Sequence, residues 1–179
     1  GAVRWEYPLS VSSVGAPAYD QGEVLYQVNT RNGDGELHCR NALTGVMRWI
    51  KPFNVQWQGF LSPTVAHGRI YAQGGYYGGL YAFDRATGTQ SWFQSLPQVS
   101  GWTPAADADA VYSFVDGVMR AHNPVSGATS WSVVTATPSY AYSMNSRNVA
   151  LTGSGALVVE FSGLSYQAAS LVCIDLATR

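Results

Sequence analysis

Short apolar–polar alternations, each bounded by a glycine-bearing turn, recur along the whole chain, and a period of two marks strands rather than helices. In the second such group Phe60 to Val65, Arg69 to Gln73, Gly79 to Phe83 and Gln90 to Gln94 read as four consecutive strands. His67-Gly68, the glycine-rich Gly74 to Gly79 and Asp84 to Gly88 supply the turns between them. The preceding group repeats the plan with Ala16 to Tyr19, Glu23 to Val28, Glu36 to Arg40 and Met47 to Lys51, its Asn32-Gly33-Asp34-Gly35 run being a strong hairpin signal. In the third group Asp116-Gly117 joins Val111 to Val115 with Val118 to Ala121. The fourth carries an insertion, Thr135 to Arg147, before Val149-Ala150-Leu151.

These groups share more than a hydrophobic rhythm. Leu80-Tyr81-Ala82-Phe83-Asp84-Arg85-Ala86-Thr87-Gly88-Thr89-Gln90-Ser91-Trp92 has counterparts ending at Trp49 and Trp131, and Trp5 closes a partial fourth copy. The tryptophan intervals are 44, 43 and 39 residues, the range of propeller blades and solenoid units. The aspartate or asparagine can tie its own backbone into the turn, the glycine supplies positive φ, and the indole can cover the seam to a neighbouring sheet. Trp5, Trp49, Trp92, Trp131, Gly45, Gly88, Gly127, Asp84 and Asp175 are therefore expected to be structural docking residues. The predicted architecture is an all-β propeller of four-stranded antiparallel blades, a single module over residues 1–179. Its blades span approximately 11–53, 58–96, 101–134 and 147–179, closed by a strand at 1–8.

Composition fits a packed all-β chain, with 46% hydrophobic, 13% aromatic and 12% charged residues. A formal net charge of −1 and a single lysine, Lys51, give no basic stripe for nucleic acid. No apolar run reaches the roughly 20 residues that span a bilayer, and the first residues lack the apolar core of a signal peptide. Cys39 and Cys173 occupy the place of Ala82 and Ala121 and are expected to be buried free thiols, since equivalent sites in different blades lie too far apart to bridge. His38, His67 and His122 lack zinc-ligand spacing, so no metal site is expected, and His38 and His122 read as surface or inter-blade residues.

The repeated phrase resembles the tryptophan-docking motif of pyrroloquinoline-quinone-type β-propellers, Ala-x-Asp-x-x-Thr-Gly-x-x-x-Trp. Ala82, Asp84, Thr87, Gly88 and Trp92 match it in full, the Cys39 and Ala121 copies match with conservative changes, and Cys173-x-Asp175-x-x-Thr178 opens another. The resemblance covers essentially the whole chain. It implies rings of seven or eight blades, leaving three arrangements: part of a longer ring, half of a two-chain ring, or a closed four-bladed ring. Arg179 stands where the family has glycine.

Enzymes of that superfamily hold the quinone on the ring axis with a calcium or lanthanide ion, acidic ligands and, in several subfamilies, an adjacent cysteine pair. Here the cysteines are apart and the aspartates fall in turns, so no catalytic residue and no cofactor is expected. The loops from each outer strand to the next inner strand should share one face near the axis. They carry Trp57, Trp102, Tyr140 and Tyr142 beside amides and hydroxyls, a composition suited to a protein, peptide or glycan. Trp57 and Trp102 read equally well as fillers between blades. The functional expectation is a non-catalytic scaffold binding a protein or glycan. The alternatives are a fragment of a quinoprotein dehydrogenase and a structural module of an extracellular assembly. Self-association or further blades of a longer chain are the other expected contacts, and an extracytoplasmic or secreted setting is favoured.

Overall fold

The computed structural model describes residues 1–33, 35–55, 62–98, 101–135, 148–161 and 169–178. Sixteen strands lie among them. The first sheet contains β1 (Val11–Val14), β2 (Ala18–Asp20), β3 (Glu23–Thr30), β4 (Gly35–Asn41) and β5 (Met47–Phe53). The second contains β6 (Thr64–Ala66), β7 (Arg69–Gln73), β8 (Leu80–Asp84) and β9 (Gln90–Gln94). The third contains β10 (Ala105–Ala106), β11 (Val111–Val115), β12 (Val118–His122) and β13 (Thr129–Val134). The fourth contains β14 (Ala150–Leu151), β15 (Gly155–Phe161) and β16 (Ala169–Asp175). Every pairing is antiparallel between strands that follow closely in the chain, as expected for propeller blades.

One register recurs. Leu25 lies opposite Cys39, which lies opposite Trp49; Tyr71, Ala82 and Trp92 line up in the second sheet, and Tyr112, Ala121 and Trp131 in the third. In each, a register shift follows the small central residue, between Cys39 and Arg40, Ala82 and Phe83, and Ala121 and His122. A small residue is needed there because the tryptophan across the ladder lies over the same column. In the fourth sheet Leu157 faces Cys173, and β16 has no outer partner among the described residues.

Pro17, Pro63 and Pro104 sit one residue before β2, β6 and β10, where the missing N–H removes no ladder bond. Gln21-Gly22, His67-Gly68 and Asp116-Gly117 all have positive φ at both residues, the twist-matched geometry of two-residue hairpins. Gly74 to Gly79 is the turn between β7 and β8, closed by Gly74 N–H donating to the Gly79 carbonyl at 3.0 Å.

The apolar core lies between successive sheets. Leu25, Leu37 and Cys39 of the first meet Ile70, Ala72 and Phe83 of the second. Tyr71, Leu80 and Ala82 meet Val111 and Val115 of the third, and Phe114, Met119 and Ala121 meet Ala156, Val158 and Ile174 of the fourth. Such interdigitation buries both faces of the inner sheets. None of these clusters joins the fourth sheet back to the first.

Three features depart from the sequence expectation. β1 is an additional inner strand, paired to β3 with a shift between Val11 and Ser13. Residues 1–10 carry no strand structure and pass along the first sheet, where the sequence predicts an outer strand for the fourth. Cys39 is buried as expected, but Cys173 is exposed, because among the described residues no strand pairs with the outer side of β16. Part of the predicted Phe60 to Val65 strand, Asp34 and most of the Thr135 to Arg147 insertion lie outside the described residues.

Candidate functional site

Each complete copy of the phrase forms the same closed turn. The Asn41 side-chain oxygen accepts from Leu43 N, Thr44 N and Thr44 Oγ1 at 3.0, 2.9 and 3.0 Å. Asp84 Oδ1 accepts from Thr87 N and Oγ1 at 2.9 and 2.8 Å, and Asn123 from Val125 N and Ser126 N at 2.9 and 3.0 Å. The Thr87 bonds hold the Asp84 carboxyl below its ordinary range. Asp175 accepts from Ala177 N at 2.8 Å in the fourth sheet.

The glycine of each turn receives the indole of the preceding copy. A β-carbon on Gly45 would stand 2.7 Å from Trp5 Cδ2; on Gly88, 2.6 Å from Trp49 Cε3; on Gly127, 2.6 Å from Trp92 Cε3. These residues also hold φ of 72°, 68° and 75°, which glycine adopts without steric cost. Trp5 Nε1 donates to the Ala42 carbonyl and Trp92 Nε1 to the Pro124 carbonyl, each at 3.0 Å. The phrase thus connects sheet to sheet, and its acidic residues serve backbone geometry.

Several other titratable groups are engaged in ion pairs or hydrogen bonds of their own. Arg85 pairs with Asp20 and, at 3.2 Å, with Glu23, bridging the first two sheets. The Glu36 carboxylate accepts from His38 Nε2 at 2.8 Å. His38 and His122 are buried rather than at the surface. His122 Nε2 and Ser113 Oγ lie 2.9 Å apart, a spacing that a nucleophile–base pair would also show. Both are wholly buried, so the pair has no access to substrate. Burial pushes the His122 imidazole down to about 4.

Of the sequence-selected aromatics, Trp102 is 1% exposed and packs with Tyr71, Leu80 and Val111 between the second and third sheets. It fills a seam and offers no external surface. Trp57, Tyr140 and Tyr142 lie outside the described residues.

A groove not evident in the sequence runs along the outer rim between the first two sheets. Asn54, Tyr77, Tyr81, Gln90 and Phe93 line a volume of about 510 Å³. Tyr77 and Phe93 are 54% and 44% exposed, whereas Tyr81 forms the buried floor. The Tyr81 and Phe93 rings lie 4.6 Å apart, and Phe53 meets Tyr81 edge-on at 5.3 Å. The amides of Asn54 and Gln90 therefore flank an aromatic surface supported from beneath. Sequence separation hid this grouping, since its members come from four segments, the stretch after β5, the turn between β7 and β8, β8 itself and β9.

A family model described as outer membrane protein assembly factor BamB matches residues 1–179. The chain belongs to this family of PQQ-like β-propeller repeats. BamB from Moraxella catarrhalis shares the fold with a TM-score of 0.69 and 18% identity, covering 92% of this chain and 47% of that one. The computationally designed Ika4 protein gives a TM-score of 0.68 at 11% identity, with 92% of each chain covered. Quinohemoprotein alcohol dehydrogenase from Comamonas testosteroni gives 0.61 at 15% identity over 84% of this chain and 29% of that one. The chain thus spans about half the length of the BamB structure and less of the dehydrogenase. At these identities the likeness is one of fold. None of the curated protein sequences matches this chain.

The quinone and metal ion that the resemblance to quinoprotein dehydrogenases implies would need converging oxygen ligands. Among the described residues no three His, Cys, Asp or Glu side chains come together as a ligand set, and Asp84, Asp175, Asp20 and Glu23 are held by turns or Arg85. These carboxylates do not fit that group. No helix among the described residues is long and apolar enough to cross a membrane.

Proposed function

We propose that this chain is a non-catalytic propeller scaffold that binds a protein partner, and that its role lies in outer membrane protein assembly, a reading supported by its membership of the BamB family. The observation carrying the reading is the rim groove, where exposed Tyr77 and Phe93 stand beside Asn54 and Gln90. Aromatic rings on a packed floor lose little conformational freedom on binding, and flanking amides can pair with an extended backbone. The family match supports a protein as the ligand class.

A photoreactive side chain at Tyr77 should give one discrete protein adduct in the native host, and Phe93→Ala should abolish it while leaving the far-ultraviolet spectrum unchanged. A Tyr77 adduct unaffected by Phe93→Ala and Asn54→Ala would remove the groove from this role.

The same ring-and-amide chemistry supports a glycan as a second reading. Saturable quenching of aromatic fluorescence by an oligosaccharide, lost in Tyr77→Ala, is its expected signature. A dehydrogenase would instead oxidise alcohols in a dye-linked assay once supplied with quinone and calcium, which is the result that would overturn the scaffold reading.

A further inference from the structure

The Gln90 end of the rim groove borders the single lysine of the chain, Lys51. Lys51 lies on β5 on the same side of the strand as Phe53, whose ring meets Tyr81 at the floor of the groove. Its Cγ stands 2.7 Å from where a β-carbon on Gly88 would lie, and Gly88 precedes the groove-lining Gln90 by two residues. The aliphatic stem is thus held against the turn that opens β9, and the side chain is half-buried. Among the described residues no carboxylate pairs with Lys51, whereas Arg48 and Arg85 are engaged with Glu23 and Asp20.

The lining of the groove carries no charge of its own, only three aromatic rings and the amides of Asn54 and Gln90. From Lys51 to Asn54 the backbone advances about 10 Å, the reach of about three residues of an extended ligand. Pro52 within that stretch supplies no N–H, which disfavours adding a partner strand to the edge of β5. Recognition therefore falls to the rings, the two amides and the ammonium.

Resting on the protein-binding reading of this groove, we infer that its partner is an extended, acidic peptide segment. An aromatic or aliphatic side chain of the segment sits on Tyr77 and Phe93, and an aspartate or glutamate about three residues away meets the Lys51 ammonium. Charge complementarity decides the class: a carboxylate there gains a charge-assisted hydrogen bond beside an apolar wall, and a basic side chain in its place meets like charge. The formal net charge of −1 offers an acid no long-range attraction, so the preference is local to Lys51.

A phage-displayed library of linear peptides, selected on the chain and counter-selected on Phe93→Ala, tests the inference. Recovered sequences should pair an aromatic or aliphatic residue with Asp or Glu at a spacing of about three residues. For one such peptide carrying fluorescein, replacing its acid by the matching amide should weaken binding about tenfold, and Lys51→Met should do the same. The two changes together should cost little more than either alone. Lys51→Arg should keep most of the affinity, and unchanged far-ultraviolet spectra show that the variants fold. Peptides that need Phe93 but carry no acid, or an acid whose effect persists in Lys51→Met, overturn the inference and leave the protein-binding groove standing. Recovery of no Phe93-dependent peptide overturns both.

Discussion

The indole of Trp92 lies so close over Gly127 that a β-carbon there would meet its Cε3 at 2.6 Å. Trp92 belongs to the outer strand of one sheet and Gly127 to the turn of the next, and Trp92 Nε1 fixes the pair by donating to the Pro124 carbonyl at 3.0 Å. Gly127→Ala combines that overlap with a left-handed φ and should cost about 2–4 kcal/mol. Trp92→Ala leaves a cavity and should cost about 3–5 kcal/mol. If the two act through one contact, the double variant falls short of their sum. Urea unfolding of the singles and the double measures this coupling.

Asp84 holds its turn by accepting from Thr87, while Asn41 and Asn123 perform the same role in the sibling turns. Asp84→Asn should therefore be nearly neutral, and Asp84→Ala should lower stability by about 1–2 kcal/mol. Equal losses for both variants would mean that the charge, rather than the shared acceptor geometry, secures the turn. Chemical denaturation near neutral pH distinguishes these results.

His122 makes stability depend on acidity. Its folded value lies at about 4, below the ordinary 6.5, so the unfolded chain takes up the proton first as pH falls. Its favourable contribution is present above about 6.5 and is lost as pH falls through 4, on the order of 3 kcal/mol in total. His122→Gln keeps an amide within reach of Ser113 and should flatten this part of the pH profile. Denaturant midpoints for both proteins between pH 7 and 4 measure the difference.

Cys39 should stay unmodified by maleimide in the folded chain and react only through unfolding. Burial is the first cause that pushes its thiol up to about 12, with Glu23 adding to it, and the side chain is wholly covered. Peptide mass analysis after timed labelling reports the rate, which should rise with added urea in proportion to the unfolded population.

The strand rhythm, the two-residue turns at His67-Gly68 and Asp116-Gly117 and the prolines entering β6 and β10 were legible because each follows from local backbone preference. The phrase ending at Trp49, Trp92 and Trp131 also announced sheets that dock in series. The rim groove was not legible. Asn54 leaves one sheet while Tyr77 and Phe93 belong to another, and no spacing in the chain relates them. Trp102 illustrates the converse: an aromatic beside small polar residues suits either a surface or a seam, and only packing places it between sheets.

By itself the sequence determined an all-β chain of repeated blades, because alternation, turn chemistry and a recurring glycine–tryptophan pair act within or between neighbouring repeats. Tertiary structure decided which equivalent positions were covered. Cys39 and Cys173 share a repeat position, yet one is enclosed by an outer strand and a following sheet and the other is exposed. Burial depends on what stands across the ladder and against the sheet face, and a residue's place in its own repeat does not specify those neighbours.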